Sequence, residues 1–481
     1  MRKRGSQLAT LAAVAALVGA CGSTVATPTP LLSPIPTAAP AGTTVVRWFV
    51  GLGLGNAPNQ VQAEASFVKA YNASHTGIYI NLEIVPSASA AATLKLEIAD
   101  GVAPDIVGPV GIADRDGFSG AFMDLTPEIA KTGFDMTRYP SAIIDLLQQS
   151  NGAQVGLPYL IYPGFIFYNK DIFAKAGLPD LPTRVGDQWN GEDWTWDALA
   201  ALAAQLTVDK AGKKSTGTGF NAANIVQYGI DFPWSDARTM ASSWAPGSFV
   251  GPDGKATIPD AWSAAWTWYY NAIWKYHIAP STKVEDSALL NNGSTVASGH
   301  VAMALSWTWA ISTYGSLDTS GKSTAKRALA NWDIAVLPSY NGQTSSPSDA
   351  DTFVILKGTA HPDSAFEAML AIMADKNLQA AYGGMPAATG DQAAWFTGQD
   401  AALASIFPNN QVSWSVLQEM ENYPANPGPE AEVPNFQAVN QLTNAFYARL
   451  QGTSGLNITN EMANLQRQIQ RAFDQAATSP G

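Results

Sequence analysis

Residues 43–56 read TTVVRWFVGLGLGN. Val45 to Val50 is β-branched and aromatic, which predicts a strand, and the glycines after it end that strand. Outward from this stretch the spacing of apolar residues alternates. Val61, Ala65, Val68 and Tyr71 fall on one side of a helix predicted from Asn59 to Tyr71. Residues 79–85 (YINLEIV) read as a second strand, 90–101 (AAATLKLEIADG) as a second helix closed by Gly101, and 104–110 (PDIVGPV) as a third strand. Strands alternating with helices of this length imply parallel βαβ units. The alternation returns at 164–171 (GFIFYNKD), at a helix over Asp197–Leu206, at 300–306 (HVAMALS), at 332–338 (WDIAVLP) and at a helix over Asp363–Ala374. The fold class is therefore α/β. A chain of 481 residues is too long for one ordinary core and fits two domains or one large intertwined pair.

Apolar residues make up 46% of the chain and charged residues only 14%, so there is ample material for a core and a sparsely charged surface. The net charge is −12, with no run of Lys or Arg after residue 4. A nucleic-acid partner is excluded, because phosphate binding needs a basic face.

The N-terminus reads as an export signal. Arg2, Lys3 and Arg4 precede an apolar stretch from Leu8 to Val18 that is too short to span a bilayer comfortably. It ends in LVGAC, with the chain's one cysteine, Cys21, in last place. This resembles the lipobox of bacterial lipoproteins, which implies cleavage before Cys21 and lipidation of its thiol. Loss of three basic residues would leave 24 basic against 39 acidic, a balance of −15. With no other cysteine, the mature chain has no internal disulfide and depends on packing. Residues 22–43 hold five prolines and no charged side chain. They read as an extended tether reaching on the order of 60 Å, at roughly 3 Å per residue. No later apolar run reaches the ~20 residues of a spanning helix.

Aromatic richness alone decides little. In 260–277 (DAWSAAWTWYYNAIWKYH), Trp262, Trp266, Tyr269, Ile273 and Tyr276 recur at steps of 4, 3, 4 and 3, the pattern of a helix stripe packed into a core. The stretch HVAMALSWTWA (300–310) is different, because Trp307 and Trp309 follow the end of a strand.

Catalytic motifs are weak. His75, His277, His300 and His361 are scattered, with no H-x-x-x-H pair for a metal, and there is no G-x-S-x-G elbow. GSLDTSGKS (315–323) ends like a phosphate loop, but five residues separate its glycines where four are needed. STAK (323–326) matches S-x-x-K without its partner motifs. The acidic clusters ADRDG (113–117) and SDADT (348–352) do not match an EF-hand loop. A carboxylate pair for glycoside hydrolysis stays open, since its spacing is spatial. The 15 Trp and 15 Tyr favour a binding surface, in which flat rings meet the C–H face of a sugar and polar groups fix its hydroxyls.

The blocks VVRWFVG, FVKAYNASHTGIYINLEIV, ADGVAPDIV, GAFMDLTPEIAK, VGLPYLIYPGFIFYNKDIFAKAGL, GHVAMALSWTW, WDIAVLPSYNG and GTAHPDSAFEAMLAIM occur in that order. Together they resemble the extracellular solute-binding proteins that serve carbohydrate ABC importers, over about residues 44–475. The resemblance implies a two-lobed periplasmic-binding-protein fold, class II-like, with lobes joined by crossover strands at a hinge and a ligand in the cleft between them. The first lobe would be 44–161 plus 338–383 and the second 166–333 plus 388–476. The crossings would lie near Ile161–Phe165, near Ala335–Pro338 and after GGMPAATG (383–390).

The likeness to maltodextrin-binding members carries residues across. Asp114 and Arg115 match an Asp-Arg pair that binds sugar hydroxyls, and this pairing suits the chemistry, since carboxylates accept and guanidinium groups donate. Trp309 matches the key stacking tryptophan, and Trp307 stands beside it. Tyr162 replaces a glutamate. Trp234 in FPWSDARTMASSW (232–244) and Asp351 in PSDADT (347–352) should reach the cleft. The first loop, GLGLGN (51–56), keeps only Asn56 as a polar side chain where the family has an acid and a lysine, and the tryptophan before the Asp-Arg pair is Pro109 or Val110. The resemblance therefore implies a sugar or oligosaccharide other than maltodextrin. It also implies no enzyme activity, no cofactor and no metal-ligating site residue, an ABC permease as partner, a monomer, and lipid anchoring to the cell membrane on its outer face or in the periplasm. A glycan hydrolase and a sensing or adhesion protein are the competing expectations.

Overall fold

The computed structural model describes residues 39–478 apart from 292 and 317–326. The signal segment, Cys21, most of the tether, the phosphate-loop-like glycine turn from residue 317 onward and STAK lie outside the described residues.

In chain order the strands that build the two main sheets are β1 (Thr44–Val50), β2 (Ile78–Ile84), β3 (Ile106–Gly111), β4 (Leu157–Tyr162), β5 (Phe165–Asn169), β6 (Val208–Asp209), β7 (Ile225–Asp231), β8 (Val301–Ser306), β9 (Trp332–Ala335), β10 (Asp349–Ile355) and β11 (Met385–Pro386). A six-stranded sheet has the order β11-β4-β10-β3-β1-β2, and a five-stranded sheet has the order β9-β5-β8-β7-β6. Each sheet belongs to one lobe. β1 pairs parallel with β2 and β3, as the opening βαβαβ reading predicts, with helices Pro58–Ser74 and Ser87–Ala99 as the crossovers. β10 enters antiparallel between β3 and β4, so the sheet is mixed.

The chain changes sheet between β4 and β5, across Pro163 and Gly164, and returns between β9 and β10. The two passages touch. Gly164 N donates to Ser346 Oγ at 2.9 Å, and a Cβ on Gly164 would sit 2.9 Å from Pro347 Cδ. Only glycine fits that approach.

Each lobe packs helices on its sheet. Thr195 caps helix Trp196–Leu206 by accepting from Ala198 N, and Trp196, Leu199, Leu202, Ala203 and Leu206 form its buried stripe. This helix lies so close to β7 that a Cβ on Gly229 would meet Ala203 O at 2.0 Å. The helix predicted from 260 ends at Trp274. Trp262, Trp266, Tyr269 and Ile273 are buried as expected, but Tyr276 lies past the helix end and is 46% exposed. The expected five-residue stripe is therefore four residues long, because the chain leaves helical geometry before the fifth.

Trp266 donates its indole N–H to Ala237 O at 2.7 Å and packs edge-on to Phe446, 5.0 Å between ring centroids. Trp266→Ala should cost about 3–5 kcal/mol in chemical denaturation. Tyr276→Ala should stay within about 0.5 kcal/mol of the parent. Similar losses for both would mean that the stripe extends to Tyr276 after all.

Candidate functional site

The cleft between the sheets is built from loops that leave strand ends. β8 ends at Ser306, and Trp307 is the extended residue before a short turn of 3-10 helix, Thr308–Ala310. Two residues of this turn place the rings of Trp307 and Trp309 face to face, 5.0 Å apart and 7° from parallel. Their environments differ. Trp307 is 1% exposed and donates its indole N–H to Pro347 O at 2.8 Å. Trp309 is 38% exposed, with Tyr162 edge-on at 5.2 Å from the other sheet. Trp309 thus rests on Trp307, which is fixed to the returning passage between the lobes.

A cavity of about 210 Å³ opens beside this pair, lined by residues of both lobes and of the passage between them. Trp309, Trp307 and Trp234 contribute rings, and Asp236, Arg238, Asp349 and Glu430 contribute charges. Trp234 is 54% exposed and holds a positive φ of 67°, a backbone region that bulky residues seldom adopt. Asp236 N-caps helix Ala237–Ser242 by accepting from Thr239 N at 2.8 Å. Arg238 sits on the first turn of that helix. Its guanidinium bridges Asp236 and Glu430, each at 2.8 Å, and stacks over Phe436. This pins the loop 425–430 to the wall formed by the helix.

The carboxylates around Arg238 respond differently. Burial pushes Glu430 up to about 7, against the pull of Arg238. Asp236 is held below the usual carboxylate range, since Arg238 and the Thr239 donors outweigh its burial. Asp349 is raised by burial, although its Oδ1 accepts from Ala350 N and Ile112 N. Asp351 reaches about 7 through burial and the neighbouring charge of Asp349. Tyr162 Oη donates to Asp351 at 2.8 Å.

The expected site residues divide. Trp309, Trp307 and Trp234 line the cavity. Tyr162 and Asp351 do not line it; they are buried and bonded to each other. Asp114 and Arg115 part company, because successive residues on a helical turn point about 100° apart. Asp114 is exposed, and partial desolvation and then Asp349 raise its carboxyl. Arg115 is buried and pairs with Asp116, not Asp114, at 2.8 Å, and it lines a second cavity of about 340 Å³. Asn56 lines neither cavity. Its Oδ1 accepts from Ser87 N and Oγ at the start of helix Ser87–Ala99. Its acceptor oxygen is spent on an open helix end, while its buried Nδ2 has no partner.

Asp236, Arg238, Asp349, Glu430 and Asp116 were not expected. Asp236 had a signal, since S-D-A-R-T carries an N-cap followed three residues later by Thr239. Among the described residues no group of three or more His, Cys, Asp or Glu is placed to hold a metal ion. No described helix is long and apolar enough to cross a membrane.

The profile of the family described as "Bacterial extracellular solute-binding protein" matches residues 66–395. Solved structures with the same fold include M. tuberculosis UspC, at 21% identity and a TM-score of 0.64, over 89% of this chain and 100% of that one. The sugar-binding protein MalE from Xanthomonas citri has 16% identity and a TM-score of 0.65, over 90% and 98%. The ABC substrate-binding protein Lmo0181 from Listeria monocytogenes, in complex with cycloalternan, has 19% identity and a TM-score of 0.60, over 90% and 99%. A curated binding protein of Brucella abortus is 27% identical over 161 residues, which span 33% of this chain and 34% of that protein's length.

The raised carboxyls set a pH dependence. Asp351 and Glu430 have folded values near 7, above the ~4 of an unfolded carboxyl. The folded state then binds more protons between those values, so stability is fullest below about 4 and is lost as pH rises to about 7. Each group contributes at most ~1.4 kcal/mol per pH unit. The melting temperature should fall from pH 5 to pH 8, and Asp351→Asn with Glu430→Gln should flatten that slope. An unchanged slope in the double variant would show that neither carboxyl controls it.

Proposed function

We propose, from the premise that the chain belongs to the bacterial extracellular solute-binding protein family, that it captures a sugar or oligosaccharide between its lobes and delivers it to the permease of an ABC importer. The family is one of extracytoplasmic binding proteins, which removes the hydrolase alternative. The carbohydrate reading rests on one observation above others. Trp309 offers a half-exposed indole face to a cavity whose other walls are hydrogen-bonding carboxylates, a guanidinium and a second exposed tryptophan, Trp234. Rigid rings cover the apolar face of a pyranose at little entropic cost, and charged acceptors and donors bind its hydroxyls strongly in a partly dry site. Several proteins of the same fold bind sugars by their own descriptions, and this accords with the reading.

In this proposal Trp309 stacks on the ligand, Trp307 holds Trp309 in place, and Trp234 covers the opposite side. Asp114, Arg115, Tyr162 and Asp351 act around this centre, the last two by bracing it, and Asn56 contributes through the loop it ties down. The lobes are 44–161 plus 338–383 and 166–333 plus 388–476, closing on the ligand about their crossings as hinged domains do. Lipidated Cys21 and the proline-rich tether hold a monomer on the outer face of the membrane.

Scanning calorimetry against a panel of mono- and oligosaccharides tests the ligand class. A ligand at 100 times its Kd should add about 2.7 kcal/mol of apparent stability. If another solute class shifts the melt and no sugar does, the carbohydrate assignment fails. Trp309→Ala should weaken binding by about 2 kcal/mol, on the order of 30-fold, with the melt nearly unchanged. A collapsed melt with parental affinity would make Trp309 a core residue. Cys21→Ser should release the protein from membranes and abolish palmitate labelling, whereas membrane retention without label would place the anchor elsewhere.

A further inference from the structure

The 210 Å³ and 340 Å³ cavities are neighbours that share Ile112, Leu146 and Gly428 as walls. Alone, the cavity beside Trp309 falls below the ~300–1,000 Å³ usual for a site that encloses a small organic ligand, and the two together fall within it. Their linings differ. The first has three tryptophans. The second has Phe122 as its one aromatic ring and otherwise presents Arg115, Asp116, Gln149, Asn426 and Glu432.

One loop serves both cavities. Glu430 pairs with Arg238 in the first. Two residues on, Glu432 has a positive φ of 54° and accepts from Ser150 Oγ at 3.0 Å and Ser150 N at 3.3 Å, which joins the lobes beside the second cavity. Arg115, 5% exposed, spends Nε and Nη2 on Asp116, while its buried Nη1 has no partner. A buried donor left unmade costs about 1–3 kcal/mol, so this arm is primed for an acceptor.

We infer that the two cavities are subsites of one binding site, and that its ligand is a non-acidic saccharide of at least two units. One ring lies on Trp309, and the next presents its hydroxyls to Arg115 and Gln149. The excluded charge follows from the linings. Asp116, Asp145 and Glu432 outnumber Arg115 in one subsite, and Asp236, Asp349 and Glu430 outnumber Arg238 in the other. An acidic sugar would meet net repulsion in both, whereas an uncharged or amine-bearing one would not. This rests on the carbohydrate reading above.

Titration calorimetry of the full chain with glucose, mannose, galactose and xylose, and with their di- and trisaccharides, tests it without any variant. In the series that binds, the disaccharide should be at least tenfold tighter than the monosaccharide. A disaccharide ending in a uronic acid should bind at least tenfold more weakly than its neutral counterpart. Ala431→Phe, which fills the second cavity from its half-buried wall, should remove the gain in affinity from monosaccharide to disaccharide. Monosaccharide binding with no gain on lengthening overturns the inference and leaves the carbohydrate reading standing. So does a gain that survives in an Ala431→Phe variant with a parental melt. Preference for the uronic acid overturns the charge limit. No binding in any series overturns both readings.

Discussion

Gly164 and Pro347 meet where the two passages between the lobes cross, and no side chain fits between them. That contact sets the distance between two sheets which share no strand. It also anchors the site, because Pro347 gives its carbonyl to the Trp307 indole and the following residues lead through Asp349 into β10. Bulk at Gly164 would therefore displace the passage, the tryptophan pair and the carboxylates together. Ser346 reinforces the junction by accepting from Gly164 N and exchanging backbone bonds with Tyr423 and Ala425. The loop that carries Glu430 and Glu432 thus starts from the same place.

Electrostatics in the cleft is a balance held near its limit. Arg238 helps hold Asp236 below the usual carboxylate range but does not offset the burial of Glu430, and after burial the charge of Asp349 raises Asp351 further. Paired buried charges seldom add net stability, but they fix geometry, since removing one partner leaves another uncompensated. Here the fixed geometry is the attachment of loop 425–430 to helix Ala237–Ser242.

Much of the architecture was legible because apolar period reports local structure directly. Val45–Val50, the helices after it and the strand at 300–306 all stand where the pattern places them. The resemblance singled out Trp309 just past a strand end, whereas Trp307, two residues away, could not be separated from it until the 3-10 turn put one ring beneath the other. Arg115 and Asp114 are adjacent in sequence but diverge in space because a helical turn separates their directions. Glu430 and Arg238 lie 192 residues apart, so no spacing rule reaches their pairing. Asn56 was the one polar side chain of its loop, and the requirement of a helix end for an acceptor claimed it first.

The Trp307–Trp309 stack has a kinetic meaning. Its lower ring is bound to the crossing between the lobes rather than to a wall that swings, so the landing surface is in place while the cleft is open. On the proposed reading, a molecule arriving on Trp309 would not wait for closure, and its capture rate would depend on diffusion and orientation. Under the proposed binding mode, escape would require the Arg238-braced wall and the Glu432–Ser150 contact to withdraw. Arrival and residence are thereby assigned to different parts of the chain, so a substitution in loop 425–432 can change how long a ligand stays without changing how fast it comes.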